Sequence, residues 1–267
     1  ARAGEYIPLP RSIEWNDPER QNKLILKGIE ADCPEFLRLA GIVTAEGTVL
    51  EKRIMISNTE KEVLDFIRKD LTALGVRFSE IKSKNKTIRG IFVGVGSFLE
   101  LVKDLGGLAK SGGKMVWPFI FNLSKEQVAQ YLSAYFEGDG GVENNREISA
   151  TSKSEKLISD ISYLLYSFGI IARIHKTRKM ATNAGWKEKR DYWRVSISGQ
   201  DNLKRFSEEI NFISQRKREQ LAGIAHKTGN TNVDLIPGIA PIFKEIYDLF
   251  ACGLHNIQDI SNIKRGH

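Results

Sequence analysis

One pattern occurs twice in this chain, and it restricts the available folds more than any other feature. "RLAGIVTAEGTV" (38–49) and "YLSAYFEGDGGV" (131–142) each run an apolar helical stretch through small residues to an acid and then a glycine. The glycines, Gly47 and Gly140, stand 93 residues apart. The segments downstream of the two motifs also correspond. "RIMISNT" (53–59) parallels "REISATS" (146–152), each a short strand entering a turn. Residues 60–75 and 154–169 carry apolar side chains at i, i+3, i+4 and i+7 and stop at glycine, as amphipathic helices do. Two strands come next, "VRFSEIK" and "GIFVGV" in one copy, "IIARIHK" and "YWRVSIS" in the other. A last helical stretch closes each copy, "FLELVKDLG" or "NLKRFSEEI". The fold class expected is α+β: two pseudo-symmetric αββαββα units at 33–125 and 126–222. Each is a mostly antiparallel sheet with helices on one face and the other face open. Residues 1–32 form an N-terminal extension, and 223–267 a linker and small helical extension.

Gly41 and Ala45 lie i, i+4 in the first motif, and Ala134 and Gly138 in the second. Such stripes let two helix backbones approach closely, so the motif helices are expected to pack on each other. Gly47 and Gly140 are expected as left-handed C-caps. If the helices run in the same direction, Glu46 and Asp139 meet at the base of the interface. Two carboxylates at two helix C-termini make a strongly negative point, which a divalent cation relieves. Mg²⁺ takes one or two carboxylates plus waters and phosphate oxygens, and can activate water against a phosphodiester. One acid ahead of a helix-ending glycine is ordinarily a surface residue. Two at matching points of two repeats call for a common cause.

Lys plus Arg number 40 against 33 acids, a net charge of +7, which is as consistent with an anionic partner such as nucleic acid as with a merely solvated basic surface. Strand alternation sorts the side chains. Ile54, Ile56, Val76, Phe78, Ile170, Ala172, Ile174, Trp193, Val195 and Ile197 are expected to face the helices. That leaves Arg53, Met55, Ser57, Arg77 and Ser79 on the open face of the first unit. Arg173, His175, Tyr192, Arg194 and Ser196 lie on that of the second. Arginine reads guanine in the major groove, where a two-stranded ribbon fits. Lys82 and Lys176 are expected at strand ends, against phosphates. Arg178 belongs to the enlarged basic loop 176–190, which includes Trp186 and is expected to extend the footprint. His175 has no second His or Cys at ligand spacing and is read as a groove residue.

The two motifs, "LAGIVTAEG" (39–47) and "LSAYFEGDG" (132–140), resemble the signature helices of the LAGLIDADG homing endonucleases. The resemblance covers about residues 33–222 and is closest to single-chain, two-motif members from archaeal introns and inteins. It implies a saddle of two sheets over double-stranded DNA, a monomer, and a metal-dependent double-strand break at a long asymmetric site. Glu46 and Asp139 match the positions that bind catalytic metal, Mg²⁺ with Mn²⁺ or Ca²⁺ as alternative occupants. "SGGKMVWPF" resembles the stretch carrying a catalytic lysine and points to Lys114. The matching place in the second copy, "NFISQRKREQL", points to Lys217, with Arg216 as rival. Such a lysine polarises water or stabilises phosphorane charge. Glu137 is expected to pack or cap the helix end rather than hold metal. The alternative is a non-cleaving binder of this fold, an RNA maturase or a transcription regulator. "APIFKEIYDLFACGLHNIQDISNIKRGH" fits a helix-turn-helix, which supports that alternative, as well as it fits a plain helical hairpin packed on the second repeat, and the presence of both acids opposes the alternative.

No run of about 18 apolar residues exists, and "ARAGEYIPLP" lacks the apolar stretch of a signal peptide. Cys33 and Cys252 form no CxxC, so no zinc site or disulfide is expected and a cytoplasmic setting is the default. "DPERQNKLILKGIE" reads as a short helix begun by Asp17 and Pro18. "GNTNVDLIPG" (229–238) reads as a linker. "LHN" (254–256) resembles an intein's end, but Ile257 and Ala1 stand where splicing needs nucleophiles, so no splicing is expected.

Overall fold

The computed structural model describes residues 6–8, 15, 23–85, 87–107, 109–179, 190–225 and 235–237. Short strands β1 (Tyr6–Pro8), β2 (Ile25–Leu26) and β3 (Ile29–Glu30) come first. The first repeat runs α1 (Pro34–Glu46), β4 (Gly47–Leu50), β5 (Arg53–Ser57), α2 (Lys61–Ala73), β6 (Phe78–Lys82), β7 (Ile88–Val93) and α3 (Ser97–Asp104). After a 3₁₀ turn at Pro118–Asn122, the second repeat runs α4 (Lys125–Asp139), β8 (Gly140–Glu143), β9 (Glu147–Ser152), α5 (Glu155–Ser167), β10 (Ala172–Lys179), β11 (Arg190–Ile197) and α6 (Gln200–Glu209). Then come α7 (Gln215–Ala225) and β12 (Leu235–Pro237). Among the described residues no helix is long and apolar enough to cross a membrane.

The motif helices start on local chemistry. The Cys33 sulfur accepts the Phe36 N–H and Pro34 opens the first turn of α1. A reciprocal capping box joins Ser124 and Gln127 at the start of α4. The two antiparallel sheets share one strand order, β4-β5-β7-β6 and β8-β9-β11-β10. Their helix-side residues are buried: Ile54, Ile56, Ile91 and Val93 in one, Ile148, Ala150, Val195 and Ile197 in the other. Each contributes about 1.5–3 kcal/mol, Ala150 less, so the sheet face that carries them is not free to flip.

Between the two helix-and-sheet layers, α1 and α4 run side by side in the same direction. A Cβ on Gly41 would lie 2.3 Å from the Tyr131 carbonyl oxygen and 3.0 Å from Ala134 Cβ. One on Gly138 would lie 2.6 Å from Ala45 Cβ. The small-residue stripe is thus the contact itself. At the other end of the pair, Arg38 of α1 grips buried Asp70 of α2 at 2.7 and 2.8 Å and donates to Gln130 of α4 at 2.9 Å.

Three expectations are corrected. Gly47 and Gly140 are extended (φ −73° and −100°) rather than left-handed, because β4 and β8 begin on them. Glycine is required there by space: a Cβ would lie 2.4 Å from the Val43 oxygen or 2.6 Å from Phe136. Residues 25–30 form the β2–β3 hairpin in place of a helix, since Lys27 and Gly28 (φ 50° and 78°) supply the two left-handed positions of a tight turn. The supposed linker contains β12, which pairs antiparallel with β1. The basic loop 180–189, the C-terminal helices and the residues bearing on splicing lie outside the described residues.

Candidate active site

The parallel packing of α1 and α4 decides where the acids go. Glu46 is the last residue of α1 and Asp139 the last of α4, and both are half-buried. Because Gly138 has no side chain, the Glu46 Cγ comes within 3.1 Å of where its Cβ would be. Burial pushes Glu46 up to about 7; the Asn58 hydrogen bond opposes this and the Asp139 charge adds to it. Burial likewise pushes Asp139 up to about 6, against the pull of Lys114 and Lys217. Two carboxylates held this way favour a proton or a cation.

Each helix end carries one lysine. The Lys114 ammonium donates to the carbonyls of Thr44, Ala45 and Gly47 at 2.8, 3.0 and 3.1 Å. Lys217 donates to the carbonyls of Glu137 and Gly140, the latter at 2.9 Å. These are the same positions of the two motifs. Both ammonium groups therefore sit on the negative end of a helix dipole. Burial lowers the Lys114 pKa while Asp139 and Glu46 raise it. Arg216, the rival to Lys217, points away to Glu60 at 2.5 Å.

Asn58 escaped the sequence reading, and Glu137, expected to pack or cap its own helix end, acts elsewhere. Asn58 donates to Glu46 Oε2 at 2.8 Å and its own oxygen accepts from the Glu60 N–H. Its signal is register: Gly47 pairs with Ile56, so the chain leaving β5 returns to the end of α1. Glu137 caps the start of α7 rather than the end of its own helix. Its carboxylate accepts from Ile213 N, Ser214 N and Ser214 Oγ at 2.8–2.9 Å. That anchor aims α7 so that Lys217 reaches back to the Glu137 carbonyl. No sequence spacing announces it.

Arg53, Arg77, Ser79, Lys82, Arg173 and His175 are exposed, and Tyr192 is half-buried beneath Lys153. Register places Arg173, His175, Tyr192 and Arg194 on one face of the second sheet. Lys176 and Arg178 lie on the other face, where both pair with Asp191 at 2.8 and 3.2 Å. Arg194 is not free: Glu143 and Glu147 hold it at 2.6 and 2.8 Å. Ile174 shares the helix-side face with Val195 yet is 41% exposed, because β10 is an edge strand.

Among the described residues no group of three His, Cys, Asp or Glu stands ready to hold a metal ion. Glu46 and Asp139 fit a hard divalent cation that takes its remaining ligands from water and phosphate.

Two repeated units joined through their motif helices, with an acid at each helix end, define a class of protein. The LAGLIDADG-like domain family matches residues 34–105 and 126–211, and the chain belongs to it. A DNA-directed RNA polymerase subunit Rpo1C from Methanocaldococcus jannaschii is 29% identical over 83% of this chain and 25% of that protein. A replication factor C small subunit from Pyrococcus horikoshii is 32% identical over 85% of this chain and 22% of that protein. The chain spans about a quarter of the length of these curated relatives. The crystal structure of I-DmoI in complex with DNA and Ca shares the fold, with a TM-score of 0.50 at 12% identity over 71% of this chain and 98% of that one.

Proposed function

We propose that the chain is a divalent-metal-dependent, site-specific DNA endonuclease that hydrolyses one phosphodiester in each strand. The observation that carries this reading is the convergence of Glu46 and Asp139, both with raised pKa, at the paired ends of α1 and α4. Glu46 and Asp139 would hold the cation. A divalent ion bound there supplies Lewis-acid polarisation and neutralises charge on the phosphate. Asn58 orients the Glu46 carboxylate. Lys114 spends its donors on three carbonyls, so it serves as a fixed positive charge for the phosphoryl oxygens rather than as a free proton donor. Lys217 does the same for the other strand.

The relatives add support of another kind. A stretch of about 230 residues is shared with an RNA polymerase subunit and a replication factor C subunit, whose names have no activity in common. A segment that moves between genes would account for this, and a site-specific double-strand break is a step that such movement could use.

The test is a randomised duplex library incubated with the protein and Mg²⁺, with cut ends sequenced. Related sites with staggered ends, lost on chelation, are expected. Selective binding with no cut ends would instead make the protein a binder. Asn58→Ala is expected to slow cleavage of a selected site about 10–100-fold. It should also move the acid limb of the pH–rate profile upward, because the bond it removes lowers the Glu46 pKa. An unmoved limb would deny Asn58 its orienting role.

A further inference from the structure

The open faces of the two sheets differ in chemistry at equivalent positions. Across the first sheet, one row in register reads Thr48, Met55, Phe92 and Ser79. The equivalent row of the second reads Gly141, Ser149, Ser196 and Arg173. The next row contrasts Leu50 and Arg53 with Glu143 and Glu147. The first face therefore presents Leu50, Met55 and Phe92, with Ile81 beside them on Gly90. None of these four belongs to the hydrophobic core or packs against it. Leu50 is 38% exposed.

Apolar side chains on an open sheet need an occupant, and the surrounding charges select it. Arg53 lies 5.1 Å over the Phe92 ring, and exposed Arg77 immediately precedes β6, while Lys82 at the far end of that strand pairs with Glu80 at 3.5 Å. A polyanion satisfies those cations, whereas an apolar protein face does not. In the major groove of duplex DNA the one apolar group is the thymine 5-methyl. Opposite Met55 and Phe92, the donors and acceptors of other base edges lose water and gain no partner.

We propose that the first sheet selects thymine through its 5-methyl group, using Leu50, Met55 and Phe92, while the second sheet reads base edges by hydrogen bonds. The two halves of the target then differ in chemistry as well as in sequence. This rests on the DNA-binding part of the function proposed above and does not require cleavage.

The experiment begins with binding selection from a randomised duplex library in Ca²⁺. The selected duplex is then synthesised with uracil for thymine in one half at a time. Uracil removes the methyl and leaves every hydrogen-bonding group in place. In one half, Kd is expected to rise about fourfold per methyl removed, and in the other to stay within twofold. Met55→Gln combined with Phe92→Gln should abolish the uracil effect, and Arg173→Gln should leave it intact. A change under twofold in both halves, equal changes in both, or a uracil effect that survives the Met55 and Phe92 substitutions would overturn the proposal. Cleavage of the same duplex in Mg²⁺ is scored separately. Selective, uracil-sensitive binding without cutting defeats the nuclease reading alone, and cutting without uracil sensitivity defeats this proposal alone.

Discussion

Asp139→Asn is expected to abolish DNA cleavage, by on the order of 10³-fold or more, to leave DNA binding in place, and to make the metal-free protein more stable at neutral pH. The stability gain comes from the direction of the shift. The Asp139 carboxyl stands at an ordinary 3.8 when unfolded and at about 6 when folded. Between those values the folded state holds more protons than the unfolded state, so stability falls as pH rises. Whatever the neutral carboxyl contributes is fully present below about pH 4 and gone above about pH 7. Asparagine never ionises. The variant and the parent should therefore melt together near pH 4 and diverge toward about 2 kcal/mol by pH 8, a few degrees in a chain of this size. Glu46→Gln should behave alike with its divergence displaced upward, since Glu46 reaches about 7. Mg²⁺ should reverse the order at pH 8, stabilising the parent and leaving the variant unmoved. Thermal melts at three pH values, with chelator and with Mg²⁺, give all of this. Melting curves that stay parallel across pH, or a variant that cuts at the parental rate, would remove Asp139 from the site.

Periodicity and repeat carry the fold: Ile54, Ile56, Val195 and Ile197 alternate because one sheet face is covered. Gly41, Ala45, Ala134 and Gly138 mark the helix contact because small residues have one use there. The acids could be placed because they end those helices. Features that depend on where a loop returns leave no local pattern. Lys114 reaches α1 from an irregular segment and Lys217 reaches α4 from a helix, so only the family resemblance, and no shared local pattern, pointed to the pair. Asn58 needs the β4–β5 register, and Glu137 needs the position of Ser214, 77 residues further on. Gly47 and Gly140 were visible as necessary glycines but for the wrong reason, since crowding and a left-handed turn leave the same letter in a sequence. Arg194 was visible as an outward arginine, while its clamp by Glu143 and Glu147 required a neighbouring hairpin.

Gly41→Ala is expected to destabilise the protein by about 3 kcal/mol, enough to remove a large part of a typical domain's stability. The added methyl would lie 2.3 Å from the Tyr131 carbonyl oxygen and 3.0 Å from Tyr135 N, both backbone atoms of α4. Backbone inside a helix cannot turn aside as a side chain can, so the two helices must separate along their length. Intrinsic propensity pulls the other way, favouring alanine in a helix by about 1 kcal/mol, and the steric term is the larger. Gly223, in α7, has nothing within 4 Å of where its Cβ would be. Gly223→Ala should therefore stabilise by about 0.5–1 kcal/mol, an opposite sign for the same chemical change. Gly138→Ala lies between them. Its methyl meets side chains, Ala45 Cβ at 2.6 Å, Ile42 Cδ1 at 3.0 Å and Glu46 Cγ at 3.1 Å. Ile42 and Glu46 can turn aside, but Ala45 Cβ is fixed to the α1 backbone, so this variant should lose stability as well as the activity that depends on the placement of Glu46. Urea unfolding of the three variants, with cleavage assayed on those that remain folded, separates the cases. If Gly41→Ala unfolded at the same urea concentration as Gly223→Ala, the close approach of α1 and α4 could not be what brings Glu46 and Asp139 together.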